Sequence, residues 1–363
     1  MSILVTILVF GIVVLVHEVG HFVAARACGV HVEEFSIGMG PRLLSKQRGE
    51  TIYSLRAFPI GGSCQMLGED SDNRDERSFN SKAIWQRAVI LVAGVAMNFV
   101  LAFVMFLILS ACTVFSVPVV RGVTPGAPAE AAGIRAGDRI TKVNGQAVNI
   151  YSDYMLAVES NKGEAITVEL KRDGVKHTLT ITPRFDEAEQ RYLMGFYWAQ
   201  RINIFSSLDE NVVGVPRATV WETVQTAYHN IFFSVRLTIH GLVQMVTFQA
   251  DLNNMSGIVG VTALVGDLQT QSQAQAEASD SNGTIIFILS LVQLTALLSA
   301  NLGVFNLLPV PALDGGRLVF LGIEGVRRKP VSPEREGMVH FAGFVLLIVL
   351  AVFVTYNDIL KLL

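Results

Sequence analysis

The chain has 363 residues, of which 51% are hydrophobic and only 16% charged, and its mean hydropathy is +0.46. This composition is unusual for a soluble protein and indicates a membrane protein that carries a soluble insert. The net charge of −3 and the lack of a basic patch with interleaved aromatic residues argue against a nucleic-acid partner. The three cysteines, Cys28, Cys64 and Cys112, form no C-x-x-C pair, so we expect free thiols, with metal ligation by Cys28 and Cys64 as the alternative.

The chain opens with an apolar stretch that ends in two histidines and a glutamate. Residues 3–16 are apolar or small apart from Thr6, and the motif His17-Glu18-Val19-Gly20-His21 follows before any Lys or Arg. The stretch lacks the basic start and the small-residue cleavage site of a signal peptide, so we expect a spanning helix. Ionisable side chains are costly inside such a segment and therefore mark a functional site.

The spacing of this motif predicts a metal site. On a helix, residues four apart share a face, so His17 and His21 can offer two imidazole nitrogens to one ion. Glu18 lies about 100° from His17 round the helix, where a carboxylate suits a general base better than a third ligand. The alternative is a chance motif on a soluble helix, and the apolar setting argues against it. The pattern is typical of zinc peptidases.

Four stretches are apolar and long enough to cross a bilayer, which takes about 20 residues. They cover roughly residues 3–25, 88–115, 284–308 and 338–356. Basic residues cluster between the first and second stretches and between the third and fourth. The positive-inside rule then predicts that both basic loops face the cytoplasm, and that both termini and residues 116–283 lie outside.

The cytoplasmic segment 30–68 predicts a β-hairpin. Residues 30–35 and 51–58 are strand-like, with a turn near residues 46–49. Backbone of this kind is tolerated at membrane depth where protein covers it or where it lines a cavity. Two roles stay open: pairing with an extended substrate by strand addition, or a plain cytoplasmic hairpin.

Residues 117–183 predict a mixed α/β domain. The elements expected from alternation, helix breakers and the turns Asn144-Gly145 and Asp173-Gly174 are strands 118–123, 139–143, 166–171 and 177–182 and helices 127–132 and 151–160. Residues 128–145 resemble a PDZ domain of bacterial proteases, and this resemblance implies a peptide-binding groove between strand 118–123 and helix 151–160. Residues 184–216 are expected to be irregular with some strands.

Residues 220–246 carry apolar residues at a helical period. We interpret them as an amphipathic helix near the outer interface, because a crossing here would carry the end of the next span away from the histidine motif. The two histidines of this helix, His229 and His240, are interpreted as packing or surface residues. Residues 267–283 are rich in Gln, Ser and Ala and predict a flexible polar loop.

The third apolar stretch ends in irregular backbone that carries a carboxylate. Two prolines separate Asn306 from Asp314, and two glycines follow the acid. A catalytic zinc normally takes three protein ligands, and the predicted topology brings Asp314 to the depth of the histidine motif, so Asp314 is the best third ligand. Its alternative role is a cytoplasmic helix cap. In the second stretch, Asn98 is interpreted as a helix-packing residue, and Ala93-Gly94 as a site of close helix approach.

Together these motifs resemble the bacterial site-2 protease family, in the branch of the regulator-of-sigma-E protease. The resemblance rests on residues 17–21, on the run Phe-Ser-Ile-Gly-Met-Gly-Pro at 35–41, on residues 306–315 and on residues 128–145, which resemble a PDZ domain of bacterial proteases. It implies Zn²⁺ bound by His17, His21 and Asp314, with Glu18 activating the water. It also implies a membrane-associated hairpin, and Asn306 helping to hold an unwound substrate. One PDZ domain is expected where some relatives carry two.

The resulting prediction is a membrane α-helical protein of about four transmembrane helices, with a membrane-associated β-hairpin and an extracytoplasmic α/β PDZ domain. The predicted domains are an N-terminal membrane core at 1–115, the PDZ domain at 116–184, a post-PDZ region at 185–283 and a C-terminal membrane core at 284–363. The predicted location is the bacterial inner membrane, as a multi-pass protein.

The predicted function is an intramembrane zinc endopeptidase that cleaves single-span membrane proteins, either anti-sigma factors or signal-peptide remnants, in regulated intramembrane proteolysis. The expected partners are such a substrate, the lipid bilayer, and a peptide C-terminus or extended peptide at the PDZ domain. A PDZ domain that only blocks access to the site stays open. The alternative function is a non-catalytic PDZ-bearing membrane receptor with a structural metal.

Overall fold

The computed structural model describes residues 2–69, 73, 75–161, 163–187, 190–205, 215–247, 257–279, 282–329 and 331–362. The chain forms two compact units. The first unit consists of Met1–Met105 and Ser234–Leu363, and the second of Phe106–Phe233.

The described helices are α1 Ser2–Ala27, α2 Ile84–Cys112, α3 Pro128–Ala131, α4 Tyr151–Glu159, α5 Val220–Val246, α6 Ile258–Ser279, α7 Gly283–Leu307, α8 Asp314–Arg327 and α9 Pro333–Leu362. Among the described residues, four helices are long and apolar enough to cross a membrane: α1, α2, α7 and Glu334–Lys361 of α9. They coincide with the four stretches predicted from hydropathy.

The described strands are β1 Val32–Arg48, β2 Thr51–Met66, β3 Phe115–Val123, β4 Arg139–Val143, β5 Gln146–Ala147, β6 Ile166–Arg172, β7 Val175–Ile181, β8 Arg184–Asp186, β9 Arg191–Leu193 and β10 Phe196–Arg201. The first unit contains the antiparallel pair β1–β2, and the second contains a sheet of order β10-β3-β4-β6-β7 with β5 on β4. A separate small pair, β8–β9, also belongs to the second unit.

The β1–β2 pair is more elaborate than the simple hairpin that the sequence predicts. Residues 34–37 of β1 pair with residues 62–65 of β2 on one side and with residues 52–55 on the other. Residues 44–48 of β1 pair in turn with residues 51–55. The strands reverse direction within themselves at glycines such as Gly38 and Gly61, whose φ angles of +86° and +90° favour glycine. The result is a sheet of four paired segments made from two long strands.

In the first unit, buried apolar residues of α1, α2 and the β1–β2 sheet form one cluster. It includes Ala25, Phe35, Cys64, Ile90 and Leu91. A second cluster joins α6 to α7 through Val261, Val265 and Leu294. The sheet is therefore packed directly against the helix that carries the histidine motif.

The second unit has the alternating pattern of a sheet with one buried face. In β6, Ile166, Val168 and Leu170 are buried, and the residues between them are exposed or partly exposed. Burial of each such side chain contributes about 1.5–3 kcal/mol. Helix α4 adds Tyr154 and Val158 to the same core. The elements lie within a few residues of their predicted positions, because this alternation is a local property of the sequence.

The prediction of a flexible loop at residues 267–283 is wrong. Helix α6 extends to Ser279, and α7 begins at Gly283. Ala, Gln and Glu have high helix propensity, and this polar run continues the apolar first half of α6. Ser272 is buried, so the polar half of the helix also packs. Of the stretch 184–216, residues 206–214 lie outside the described residues.

Candidate metal centre

His17 and His21 lie on one buried face of α1. Their Nε2 atoms are 3.1 Å apart, and both side chains are largely inaccessible to solvent. Asp314, the first residue of α8, places its Oδ2 atom 3.2 Å from His17 Nε2 and 3.3 Å from His21 Nε2. Segments from opposite ends of the chain therefore meet at one point.

These three atoms fit a zinc ion. Zinc bonds of about 2.0–2.1 Å in a tetrahedral site place neighbouring ligand atoms roughly 3.3 Å apart, close to the three distances observed. Oδ2 of Asp314 is buried and forms no hydrogen bond of regular geometry with any described residue. Two imidazoles and one carboxylate are a common donor set for catalytic zinc, and they leave a coordination position open.

Glycines allow α1 and α2 to approach closely at this point. A Cβ atom on Gly94 would lie 2.4 Å from His21 Nε2 and 2.8 Å from His17 Cε1. A Cβ atom on Gly20 would lie 2.4 Å from the carbonyl oxygen of Ala93. The predicted close approach at Ala93-Gly94 is confirmed, and its consequence is that the imidazole rings lie directly against the backbone of α2.

Polar groups lie within hydrogen-bond distance of both imidazoles. The carbonyl oxygen of Ile90 accepts a bond of 2.9 Å from His21 Nδ1, because a carbonyl can only accept. The amide Nδ2 of Asn98 lies 3.1 Å from His17 Nδ1, and that of Asn306 lies 3.4 Å from His17 Nε2. The interpretation of Asn98 as a packing residue alone is therefore incomplete. Its position four residues after Gly94, on the same helix face, was the available signal.

The chain before Asp314 is held in an irregular path. Ala312 has a φ of +75°, and its N–H donates a bond of 2.8 Å to Nδ1 of His340 in α9. Cβ atoms on Gly315 and Gly316 would lie 2.1 Å and 2.5 Å from the carbonyl oxygens of Leu308 and Val310. These glycines allow α8 to start against the preceding loop. His340 was missed, although an ionisable residue near the start of the fourth apolar stretch was an available signal.

Glu18 lies between the three candidate metal ligands and the β1–β2 sheet. A Cβ atom on Gly62 of β2 would lie 3.0 Å from Glu18 Cγ, and the Glu18 carboxylate accepts a backbone hydrogen bond from Cys64. The residues of β2 that pair with β1 therefore also fix the predicted general base. Its neighbourhood includes His17, His21 and Asp314, as the predicted role requires.

A buried carboxylate stabilises this sheet. Glu34 forms ion pairs with Arg42 and Arg56 and accepts a hydrogen bond from Ser54. Burial alone would raise the pKa of Glu34, but the bonds from Arg42, Ser54 and Arg56 outweigh it and lower the pKa to about 2. Glu34 therefore remains ionised, and it ties β1 to the middle of β2.

The second unit contains a separate cavity of about 840 Å³. Edge strand β10, helix α4 and the β8–β9 pair line it, and aromatic residues Tyr151, Tyr154 and Trp198 form much of its wall. The groove was expected beside strand 118–123, but β10 pairs with that strand and takes the edge position. Some strands were expected within residues 184–216, but neither the position of β10 nor its pairing with β3 was predicted, because that stretch has no regular pattern.

The other candidate ligands do not join the metal centre. Among the described residues, His17, His21 and Asp314 are the group of His, Cys, Asp or Glu side chains able to hold a metal ion. His240 bonds to Gln244, while Cys28 and Cys64 are free thiols.

The fold and this site together define a membrane-associated metallopeptidase. The model of the family described as Peptidase family M50 matches residues 5–350. The chain therefore belongs to peptidase family M50, the site-2 protease family, and it is a zinc metalloprotease with Zn²⁺ as its cofactor. Its apolar helices and its family identify it as a membrane protein.

Several relatives span nearly the whole chain. A protein of Clostridium acetobutylicum, named as a candidate zinc metalloprotease, is 36% identical over 99% of this chain and 97% of its own length. Zinc metalloprotease RasP of Geobacillus kaustophilus is 30% identical, with 99% and 98% covered. The regulator of sigma-W protease RasP of Bacillus subtilis is 28% identical, with 98% and 97% covered.

A crystal structure of the PDZ domain of an SdrC-like protein from Listeria monocytogenes is similar to part of the chain. It is 21% identical, covers 24% of this chain and 87% of the Listeria chain, and has a TM-score of 0.20.

Proposed function

We propose that the protein is an intramembrane endopeptidase that cleaves single-span membrane proteins, with anti-sigma factors or signal-peptide remnants as substrates. The observation that carries this proposal is the convergence of His17, His21 and Asp314 at one point beside Glu18. The name of the Bacillus subtilis relative, a regulator of sigma-W, supports a regulatory substrate of this kind.

In this proposal His17, His21 and Asp314 are the zinc ligands. The bound ion supplies a Lewis acid that polarises a substrate carbonyl and makes water a better nucleophile. Glu18 takes a proton from the attacking water and passes it to the departing amine. The backbone bond from Cys64 and the contact with Gly62 hold Glu18 in place for both transfers.

The β1–β2 sheet and Asn306 are proposed to hold the substrate. A peptide in a helix has its backbone groups paired, so it must unwind before a carbonyl can reach the site. Residues 62–65 pair with β1 and lie beside Glu18, so an unwound substrate added there as a strand would pass close to the ligands. Asn306, near His17, can donate its amide hydrogens to a substrate carbonyl.

We further propose that the predicted domains at 1–115, 116–184, 185–283 and 284–363 are the functional divisions of the chain. The region 116–184, together with β10, would act as a PDZ domain that binds an extended peptide or a peptide C-terminus. The cavity beside the edge strand β10 supports this role, because an added strand would pair with β10 and place side chains in the cavity.

A non-catalytic receptor is disfavoured by the site itself. A structural metal needs no carboxylate beside its ligands, yet Glu18 lies there with backbone support from Cys64. Family membership as a zinc metalloprotease points the same way.

The test of the catalytic assignment compares two carboxylates in purified, detergent-solubilised protein. Glu18→Gln should retain zinc but lose at least about 100-fold of its cleavage rate on a membrane-embedded substrate, because the general base is gone. Asp314→Asn should lower both zinc content and activity, because a neutral amide is a weaker ligand.

Asp173→Asn, in the exposed turn between β6 and β7, is the matched control and should change neither property. Near-normal turnover in zinc-loaded Glu18→Gln would contradict the base assignment. Full zinc content in Asp314→Asn would remove Asp314 from the ligand set.

The proposed topology places the protein in a bacterial inner membrane, with both basic loops in the cytoplasm and the PDZ domain outside. The test uses protein in which Cys28, Cys64 and Cys112 are replaced by Ala. A membrane-impermeant maleimide applied to intact spheroplasts should label Lys176→Cys in β7 and spare Asn73→Cys. Labelling of Asn73→Cys alone would invert the topology.

A further inference from the structure

Asn98 has a buried amide beside a metal ligand. The residue is fully buried, and its Nδ2 atom lies 3.1 Å from Nδ1 of His17. Its Oδ1 atom, also buried, has no hydrogen-bond partner among the described residues. A buried amide oxygen without a donor is costly, particularly within an apolar helix bundle. This pairing therefore calls for a physical explanation.

The chemistry of the ligands determines which atom Nδ1 of His17 must meet. Nε2 is the nitrogen of His17 that faces His21 and Asp314, so a metal ion there requires Nε2 without a proton. The proton must then lie on Nδ1, which needs an acceptor. His21 already has this arrangement, because Ile90 offers a carbonyl oxygen to its Nδ1. His17 meets an amide nitrogen, which can only donate.

We propose that Asn98 turns its amide oxygen toward His17 and is the positioning residue for this zinc ligand. The two ends of an amide have nearly the same shape, so a half-turn about the last side-chain bond exchanges oxygen and nitrogen within the same space. The buried oxygen then accepts a hydrogen bond from Nδ1–H of His17, which fixes the tautomer and the ring orientation of His17. The inference rests on the ligand set proposed above and adds a residue that supports it.

A packing role and a positioning role predict opposite results for two substitutions. If Asn98 only fills space between helices, Asn98→Leu should be tolerated and Asn98→Asp should be harmful, because it buries a charge. If Asn98 accepts a hydrogen bond from Nδ1–H of His17, Asn98→Leu removes the acceptor of that bond. Asn98→Asp retains the acceptor, and the imidazole N–H and the metal offset the carboxylate charge.

The experiment measures zinc affinity by competition with a chromophoric chelator, on full-length protein in detergent, with thermal unfolding as the check of folding. Asn98→Leu should bind zinc about 10- to 100-fold more weakly than the natural protein. Asn98→Asp should bind it at least as tightly.

Ser299→Ala is the control. Ser299 Oγ donates to the backbone oxygen of Asn98 at 2.8 Å, so this variant alters the surroundings of Asn98 without removing its side chain. Its zinc affinity should remain within about threefold of the natural value, below the effect expected for an outer-shell substitution.

Natural zinc affinity in Asn98→Leu would overturn the inference, as would weaker zinc binding in a normally folded Asn98→Asp. If Asn98→Leu does not fold, Asn98→Asp decides alone: tight zinc supports the positioning role, and weakened zinc overturns it. His17→Ala separates the two proposals. If it loses zinc while both Asn98 variants keep it, the ligand set stands and only the role of Asn98 fails.

Discussion

The two units of the molecule differ in how far apart in sequence their contacting residues lie. In the second unit, neighbouring strands such as β6 and β7 pair across the short Asp173-Gly174 turn, and each strand buries every second residue. In the first unit, the metal centre joins residues as distant in sequence as His17 and Asn306, which are 289 positions apart. Its geometry depends on helix backbones that are nearly in contact.

This difference bears on how each unit should respond to substitution. A sheet with a conventional core loses stability in proportion to the contacts removed, and its neighbours adjust in part. The neighbours of the metal centre have no comparable room to adjust. A carbon added at Gly20 would meet backbone, and one added at Gly94 would meet the imidazole rings. Small changes there should abolish metal binding, whereas larger changes in the second unit should leave it intact.

Gly94→Ala should have the largest effect. Its added carbon would lie 2.4 Å from Nε2 of His21, which is closer than carbon and nitrogen can approach. We expect the ligand rings to be displaced, with zinc affinity and cleavage each reduced at least about 100-fold, at or beyond the upper range for outer-shell changes. Zinc content by metal analysis and cleavage of an embedded substrate measure this.

Gly322→Ala in α8 is the matched control, because a Cβ atom there would have nothing within 4 Å. It should keep full zinc content and full activity. A zinc-replete, active Gly94→Ala variant would show that α1 and α2 can separate at no cost, and the contrast between the units would then fail.

Asp138→Asn tests the other side of the comparison. Asp138 is buried in the second unit, where Arg172 contacts both of its oxygens at 2.7 Å and the Arg135 N–H donates to Oδ2 at 2.8 Å. Loss of the charge should destabilise the second unit by about 1–3 kcal/mol, with zinc content unchanged. Amide hydrogen exchange resolved over residues 115–201 measures the loss.

The pH dependence of this stabilisation has a definite sign. Burial would raise the pKa of Asp138, but the bonds from Arg172 and the Arg135 N–H outweigh it and lower the pKa. The stabilisation is therefore complete above the ordinary aspartate pKa of about 3.9, and it is lost as the pH falls below that value. Asp138→Asn should lack this acid sensitivity. Equal acid sensitivity in both proteins, or zinc loss in the variant, would contradict the assignment.

The prediction of the second unit and of two of the three proposed zinc ligands, His17 and His21, rests on the same kind of pattern. Alternating strands, turn residues and an i, i+4 histidine pair are local patterns, and local patterns can be read from one segment at a time. The prediction of Asp314 as a ligand also needed the membrane topology. The number and direction of the predicted spans placed it at the depth of the histidine motif. Strands were expected within residues 184–216, but the edge position of β10 beside the cavity was not predicted, because its own segment has no clear alternation.

The supporting contacts of the metal centre could not be predicted, because each depends on which faces of two distant helices meet. Asn98 is identifiable as a polar residue in an apolar span, but only the packing of α2 on α1 brings it to His17. His340 and its bond to the Ala312 N–H depend in the same way on where α9 passes the loop. The helix at 258–279 was missed because polarity was weighted above helix propensity.

The smallest expected effect concerns the cavity of the second unit and tests whether the proposed peptide site prefers acidic peptides. Arg121 of β3 and Arg184 of β8 line the cavity and are exposed, and their side chains form no ion pair with any described residue. The cavity also contains Arg191 and Asp186, so its charge is net positive. An acidic peptide added beside β10 should therefore bind more tightly than its amide counterpart. Fluorescence anisotropy with labelled Glu- and Gln-containing decapeptides, on full-length Glu18→Gln protein, measures the difference.

Arg121→Gln and Arg184→Gln should each weaken binding of the acidic decapeptide about two- to fivefold, the range of a partly exposed ion pair. The loss should shrink as salt is raised, because the charges are exposed to solvent. Lys176→Gln on β7, at the opposite edge of the sheet, removes the same charge and should leave binding unchanged. Equal binding of the two decapeptides would contradict the charge preference, while the peptide-binding role would stand. If neither peptide binds, the proposed peptide-binding role of the second unit is contradicted.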